Sequence, residues 1–450
     1  MNNALLLDLY ELTMAQSYSL YKRDTFATFD LFVRALPKHR AYLVACGLES
    51  VLNYIKELRF NKEDLGYLRQ LGLFSEDFLG YLSRFKFKGD IWAMPEGTVF
   101  FADEPVVRIT APIIEAQIIE SFLLNTINLQ TMIASKASRV MQAAKGRGVY
   151  DFSLRRTHGS DAGLKVSRAS FLAGFSGTSC VLAGKTYKIP VAGTMAHSFV
   201  MTFKHELDSF LAYSNTFPRR TILLVDTYDT KKGIENAIRI GLHLKETKCR
   251  LEGIRLDSGN ITALSKLARR ALNRAGLNYV KIFASGDLDE FRIKKLLDNG
   301  ALVDSFGVGT NMGTSADAPS LDVVYKISEF TDEKGDFVPT MKLSSEKITY
   351  PGRKQVYRFK DKRDRFIKDI LGLEKEKTGG KPLLIKVAEK GRIIYKFPSL
   401  EKIRALLENN LSKFPEDIKS VYPRYKYPVI ISSQLNKLRH SLAGRLAQGQ

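Results

Sequence analysis

The chain is expected to fold as an α/β protein built on a parallel β/α barrel, and two observations lead there. Between Val149 and Tyr325, short apolar runs alternate with amphipathic stretches of helical period. Nearly every apolar run also stops at reactive or phosphate-friendly residues. In order these are DFSLRR (Asp151–Arg156), FSGTS (Phe175–Ser179), AGTMAHS (Ala192–Ser198), LLVDTYDT (Leu223–Thr230), IRLDSGN (Ile254–Asn260), FASGD (Phe283–Asp287) and FGVGT (Phe306–Thr310). Polar residues gathered where successive strands end are how a parallel barrel assembles one site from many loops. Such a mouth implies an enzyme that acts on a phosphorylated small molecule.

The elements can be justified in chain order. Residues 1–112 read as an α/β domain: ATFDLFVRALP (Ala27–Pro37) alternates as a strand does, while NYIKELRF and EDLGYLRQLG carry helical spacing. Short strands broken by Gly and Pro follow between Gly89 and Pro112. Residues 113–330 read as the barrel domain. They open on Ile113–Lys145, a stretch without Gly or Pro that predicts one long helix or two joined ones. Helices are then expected over SFVMTFKHELDSFLAYSN, KKGIENAIRIGLHLKE, ITALSKLARRALNRAG and DLDEFRIKKLLDNG. After VVYKISEF (Val323–Phe330) the βα alternation stops, and residues 331–450 are expected to return to the first domain.

Composition narrows the class further. Of 450 residues, 44% are hydrophobic and 26% charged, as in an ordinary globular chain. No stretch approaches the ~18 uninterrupted apolar residues that a membrane span requires. The start, MNNALLLDLYE, has no basic region and meets Asp8 early, unlike a signal peptide. Cys46, Cys180 and Cys249 are far apart and lack metal-ligand spacing, which fits a reduced, cytoplasmic compartment. The net charge is +21, of which +14 lies between Arg353 and Gln450. Those basic residues are interleaved with apolar runs such as IIYKFPSL and YPVIISSQL. They read as the solvated face of a folded segment rather than as a nucleic-acid tract.

Several strand ends carry candidate chemistry. His197 follows Gly193 and Thr194 and opens a helix, where an imidazole can serve as base, ligand or nucleophile. A lone His is more often structural; six other polar strand ends around it favour function. His158, just beyond Arg155 and Arg156, is a weaker candidate for the same mouth. Arg255 and Asp257 alternate, so both face one side of their strand. Together they suit a sugar phosphate: guanidinium for anionic oxygens, carboxylate for ribose hydroxyls or Mg²⁺. The plain alternative is an ion pair that only holds the barrel. Ser285, Gly286 and Asp287 open a helix, and Gly307, Gly309 and Thr310 close the next strand. Small residues there let backbone N–H groups approach a phosphate. Phe152 with Arg155 and Arg156 offers a flat surface and guanidinium groups for a planar ring bearing a carboxylate.

In this order the motifs resemble the nicotinate phosphoribosyltransferase family. The resemblance begins at LLDLYELTMAQSY (Leu6–Tyr18) and runs through FVRALP, YLVACGLE, PEGTVFFADEP, KASRV, GTMAHSFV, RLDSG and SGDLDE. It persists to KLSSEK, PGRKQVYR, PSLEKIR and YPVIIS, and so covers nearly the whole chain. It implies an irregular seven-stranded β/α barrel of type II phosphoribosyltransferase character, with an α/β domain built from both chain ends. It also implies a homodimer with its active site at the interface. The implied reaction joins nicotinate to C1 of 5-phosphoribosyl-1-pyrophosphate, giving nicotinate mononucleotide and pyrophosphate in NAD salvage. Mg²⁺ is the implied cofactor and ATP the implied co-substrate, with His197 becoming a phosphohistidine.

By the same resemblance, Phe152 stacks on the pyridine ring and Tyr10 of the neighbouring subunit covers its other face. Arg255 and Asp257 hold ribose and pyrophosphate, and Ser285, Gly286, Gly307 and Gly309 cradle the 5-phosphate. Arg155, before Arg156, meets the carboxylate. Three departures from the family pattern stand out: Asn260 where Asp is expected, Cys180 in place of Asn, and Ser153 in place of Gly. Nicotinamide-using relatives resembling this chain carry Asp at the position of Ser179, which favours the acid as substrate. Quinolinate enzymes resemble neither the His197 motif nor this length. A barrel metallohydrolase would need clustered His and carboxylate ligands, and the strand ends offer only His197 and His158.

Overall fold

A computed structural model describes residues 3–343 and 349–447. KLSSEK falls partly outside the described residues. The chain forms two compact units, Met1–Met132 with Ser320–Gln450, and Ile133–Pro319.

In the first unit seven strands form one sheet. Their order is Phe337–Pro339, Val323–Thr331, Phe26–Val33, Pro105–Pro112, Asp90–Ala93, Ile385–Glu389 and Arg392–Ile393. Phe26–Val33 is antiparallel to a neighbour on each side, and all its residues but the first are buried. Its aromatic positions pack across the ladder, with the Phe29 and Tyr325 rings stacked at 4.6 Å. Asp30 on this buried strand is matched by Lys354 Nζ at 2.7 Å. VVYKISEF therefore does not close the barrel region. It pairs with Phe26–Val33, and the units part at Met132/Ile133 and Pro319/Ser320 rather than at 112 and 330.

The basic C-terminal part is folded. Lys354–Lys360 and Phe366–Leu373 form an antiparallel pair around the buried Arg358–Asp369 ion pair, 2.5 Å apart. Ile385–Glu389 joins the first sheet beside Asp90–Ala93.

Of the two alternatives for the helical stretch after Pro112, the structure has two joined helices, Ile113–Ile118 and Glu120–Ala144. The second carries Lys136 and Arg139 to the buried Glu290 at 2.6 and 3.0 Å.

The second unit is a curled parallel sheet of six strands among the described residues. They are β1 (Gly148–Asp151), β2 (Gly177–Thr178), β3 (Thr221–Leu224), β4 (Leu251–Leu256), β5 (Lys281–Ala284) and β6 (Ser305–Val308). Their order is β2-β1-β6-β5-β4-β3. The remaining motif, AGTMAHS, forms no strand among the described residues; Val191, just before it, makes one parallel bridge to Thr178 beside β2. Helices start cleanly after three of these strands because a side chain caps each. Asp229 accepts from Lys232 N at 2.8 Å, Asn260 from Ala263 N at 3.1 Å, and Asp289 from Arg292 N at 2.8 Å. The stretch expected as one helix from Ser198 is two, His197–Met201 and Glu206–Thr216. The chain turns between them, with the Phe199 and Phe203 rings 5.1 Å apart.

Glu11, on the helix Leu9–Tyr21, is fully buried, and its carboxylate accepts from Ser121 N at 2.8 Å and Ser121 Oγ at 2.6 Å. Burial pushes its carboxyl up to about 8; Ser121 pulls it down, while Glu120 and Asp8 add to the rise. The folded state therefore holds this proton more tightly than the unfolded chain, where the value is 4.5. The stability it contributes is complete below pH about 4.5 and is gone once pH has risen through about 8. The thermal midpoint is expected to fall between pH about 6 and 9, and to fall less in Glu11→Gln. Parallel pH profiles for the two proteins would contradict this.

Candidate active site

The ends of β3 and β4 are locked together. Asp226, just past β3, accepts the Asp257 backbone N–H at 2.9 Å and Ser258 Oγ at 2.6 Å. Asp257, the first residue after β4, in turn accepts a hydrogen bond from Ser285 Oγ beyond β5. Arg255 precedes it on β4 and donates from Nη2 to the Met195 carbonyl at 3.2 Å. Burial lowers the pKa of Arg255 below its ordinary value; Asp257 and Asp226 oppose this, and the charge of Arg155 adds to it. Arg155 and Arg255 thus lie within electrostatic reach of one another. Among the described residues, Arg255 Nε and Asp226 Oδ1 are buried without a hydrogen-bond partner. Such atoms are costly unless a ligand engages them.

His197 faces the same point. Its Nδ1 lies 3.1 Å from Thr227 Oγ1, and its Nε2 lies 3.8 Å from Asp257 Oδ2. The imidazole is half-exposed, accessible to a ligand in the mouth.

Next to Asp257, the loop after β5 is shaped for close backbone approach. Gly286 has φ +92°, and a Cβ on it would lie 2.0 Å from the Asp257 carbonyl oxygen. Only glycine fits both conditions. Asn311 Nδ2 donates to the Asp287 carbonyl at 2.9 Å, tying this loop to the turn Thr310–Gly313 that Gly309 opens. Ser285, Gly286, Gly309 and Thr310 therefore belong to neighbouring loops.

Phe152 follows β1, and its N–H donates to the Val308 carbonyl on β6 at 2.8 Å. Its ring lies on Gly307, where a Cβ would come within 2.5 Å of it. Arg155 and Arg156 are exposed on the short turn Leu154–Arg156, with His158 exposed beyond it. Ser179, half-buried after β2, donates its N–H to the Asp151 carbonyl at 2.8 Å. Of the candidates, Tyr10 alone belongs to the other unit, on the helix Leu9–Tyr21, and is 46% exposed.

The three sequence departures have structural accounts. Asn260 is the cap of the helix Ile261–Arg274, a task Asn performs as well as Asp. Cys180 is buried, and its N–H donates to Thr178 Oγ1 at 3.1 Å. Ser153 is buried and donates to Asp151 from both N and Oγ. Sequence reasoning did not single out Asp226, Thr227 or Asn311. The first two stand directly after a strand end, in a motif already noted, and that position was the available signal. Asn311 gave none.

Family models match along the chain: the N-terminal domain of nicotinate phosphoribosyltransferase over residues 5–128, the family proper over 148–338 and its C-terminal domain over 378–439. The nicotinate phosphoribosyltransferase pncB2 of Mycobacterium tuberculosis is 46% identical over 444 residues, covering 97% of this chain and 94% of its own. The nicotinate phosphoribosyltransferase of Bacillus subtilis is 37% identical over 475 residues, covering 98% and 96%. The crystal structure of human nicotinic acid phosphoribosyltransferase superposes with a TM-score of 0.86 at 27% identity, covering 97% of this chain and 99% of that one. The motifs at its strand ends and its likeness along nearly its full length agree: this chain belongs to the nicotinate phosphoribosyltransferase family.

Proposed function

We propose that the chain is an enzyme of NAD salvage that makes nicotinate mononucleotide from nicotinate and 5-phosphoribosyl-1-pyrophosphate. The observation that carries the reading is convergence. An aromatic face, a mostly buried guanidinium, a carboxylate, an imidazole and a glycine-shaped loop meet at consecutive ends of parallel strands. The names borne by relatives 37–46% identical to this chain support it.

In this reading the pyridine nitrogen attacks C1 of the ribose. The N–C1 bond forms as the C1–O bond breaks, and pyrophosphate leaves with the electron pair. Little proton transfer is needed, so the protein orients the reactants and neutralises a polyanion. Phe152 stacks on the ring and Arg155 meets its carboxylate, with Arg156 as a flanking positive charge. Ser179 borders the carboxylate. Arg255, with an unpartnered buried Nε, binds the pyrophosphate oxygens, and Asp257 holds the ribose hydroxyls. Ser285, Gly286, Gly307, Gly309 and Thr310 surround the 5-phosphate.

Mg²⁺ suits this set. Asp257 and the unpartnered Oδ1 of Asp226 offer two carboxylates, and such an ion commonly completes its shell with substrate phosphates. It would neutralise charge on the leaving pyrophosphate.

ATP enters as co-substrate through His197. In the tautomer whose Nδ1–H donates to Thr227 Oγ1, the Nε2 lone pair is free to take the γ-phosphoryl group, releasing ADP. The six strands and the Val191 bridge make seven parallel segments, read here as the staves of an irregular barrel. His197 to Thr227 and Arg255 to Met195 span the seam between the last stave and β3. We further assign the reaction to a cytoplasmic homodimer in which Tyr10 of one subunit covers the pyridine held by the other. No helix of the described residues is long and apolar enough to cross a membrane.

Purified protein supplied with nicotinate, 5-phosphoribosyl-1-pyrophosphate and Mg²⁺ is expected to release nicotinate mononucleotide and pyrophosphate, faster with ATP. No product under either condition would overturn the reading. His197→Ala is expected to lose the ATP stimulation and the protein-bound label from γ-labelled ATP; a labelled variant would contradict the assignment. Gly286→Ala should lower kcat/KM for the phosphoribosyl donor on the order of 10²-fold, because its Cβ displaces the Asp257 carbonyl. A loss under about twofold would argue against the phosphate cup.

A further inference from the structure

Asp151 is the last residue of β1, fully buried, and none of the chemistry above uses it. Its two oxygens collect hydrogen bonds from both sides of the mouth. Oδ1 accepts from Ser153 N at 2.9 Å and Ser153 Oγ at 2.5 Å. Oδ2 accepts from Thr178 Oγ1 at 2.8 Å, and Ser167 Oγ on the helix Ser160–Leu172 lies 2.9 Å away. A buried carboxylate is expensive compared with an apolar residue of like size, so its presence points to orientation rather than to stability.

What it orients is specific. Ser153 follows Phe152, and its carbonyl accepts the Arg156 N–H at 2.7 Å, which sets the turn bearing Arg155 and Arg156. Thr178 precedes Ser179, and its Oγ1 also accepts the Cys180 N–H, so Ser179 is bracketed. The Asp151 carbonyl itself accepts the Ser179 N–H. One residue thus fixes the backbone that bears Phe152, Arg155 and Arg156 on one side and Ser179 on the other. The loops after β4, β5 and β6 do not contribute to these bonds.

We propose that Asp151, acting with Thr178 and Ser153, is a positioning residue that sets the geometry of the pyridine pocket. The proposal rests on the reading that Phe152, Arg155 and Ser179 hold nicotinate. Asp151→Asn keeps the shape and gives Oδ2's place to a donor, so the Ser167 and Thr178 hydroxyls must reverse. Thr178→Val removes the donor to Oδ2, and with it the acceptor of the Cys180 N–H, at nearly constant volume.

The test measures KM for nicotinate, KM for 5-phosphoribosyl-1-pyrophosphate, kcat and the thermal midpoint in both variants, with Phe152→Ala as control. A rise in nicotinate KM of about tenfold or more, with the donor KM and thermal midpoint steady, is the expected result. Should Asp151→Asn fail to fold, Thr178→Val decides. If both KM values, kcat and the thermal midpoint move together in Thr178→Val, the role is structural only and the proposal is overturned. If nicotinate KM stays constant in the variants but rises in Phe152→Ala, the pocket stands and the proposal falls. If Phe152→Ala is also without effect, the pocket reading itself fails and takes the proposal with it.

Discussion

The hydrogen bond from the Asp257 backbone to the Asp226 carboxylate is the contact on which the mouth depends. It joins the ends of β3 and β4, and each later piece is fixed against it. Ser285 bonds the Asp257 carboxylate, Gly286 lies against the Asp257 carbonyl, and His197 Nε2 faces the free Asp257 oxygen. Asn311 then ties the loop after β5 to the one after β6, and Gly307 on β6 itself supports the Phe152 ring. A parallel sheet makes this possible because every strand delivers its last residue to the same edge. Neighbouring strand ends can therefore hold one another with no added domain.

Desolvation gives the arrangement its chemical bias. Arg255 is mostly buried, and its pKa is lowered by that burial despite two nearby carboxylates. Buried donors and acceptors left open, such as Arg255 Nε and Asp226 Oδ1, are the atoms that would gain most from a charged ligand. The groups are already held when the ligand arrives, so little reorganisation remains for the reaction itself. The catalytic power of such a site lies in placement, which explains why a single Cβ at Gly286 is expected to matter as much as the loss of a charged group.

Much of this was legible in the sequence, for identifiable reasons. Strand ends announce themselves when an apolar run stops at Asp, Ser, Gly or His, and six of seven such runs are strands. AGTMAHS is the exception: the one bridge there is made by Val191, the residue just before it. VVYKISEF was placed with the barrel because an alternating apolar run looks alike whether its partners are parallel or antiparallel. Its actual neighbour, Phe26–Val33, lies about three hundred residues away, a distance that no local pattern encodes. Asn260 was legible as a departure but not as a helix cap. Asp226, Thr227 and Asn311 acquire meaning only when two strand ends are side by side, and so did the pairing of Lys136 and Arg139 with Glu290.

The claim that this mouth selects an acid over its amide turns on Ser179, which sits half-buried beside Phe152's strand with its N–H held by Asp151. A carboxylate there would repel nicotinate and favour the amide hydrogens of nicotinamide; a serine hydroxyl carries no charge and can donate to nicotinate's carboxylate. The most direct measurement is kcat/KM for nicotinate and for nicotinamide, in the natural protein and in Ser179→Asp. The account predicts a preference for nicotinate in the natural protein and a shift of that ratio toward nicotinamide in the variant. Preferential turnover of nicotinamide by the natural protein, or an unchanged ratio in Ser179→Asp, would contradict it.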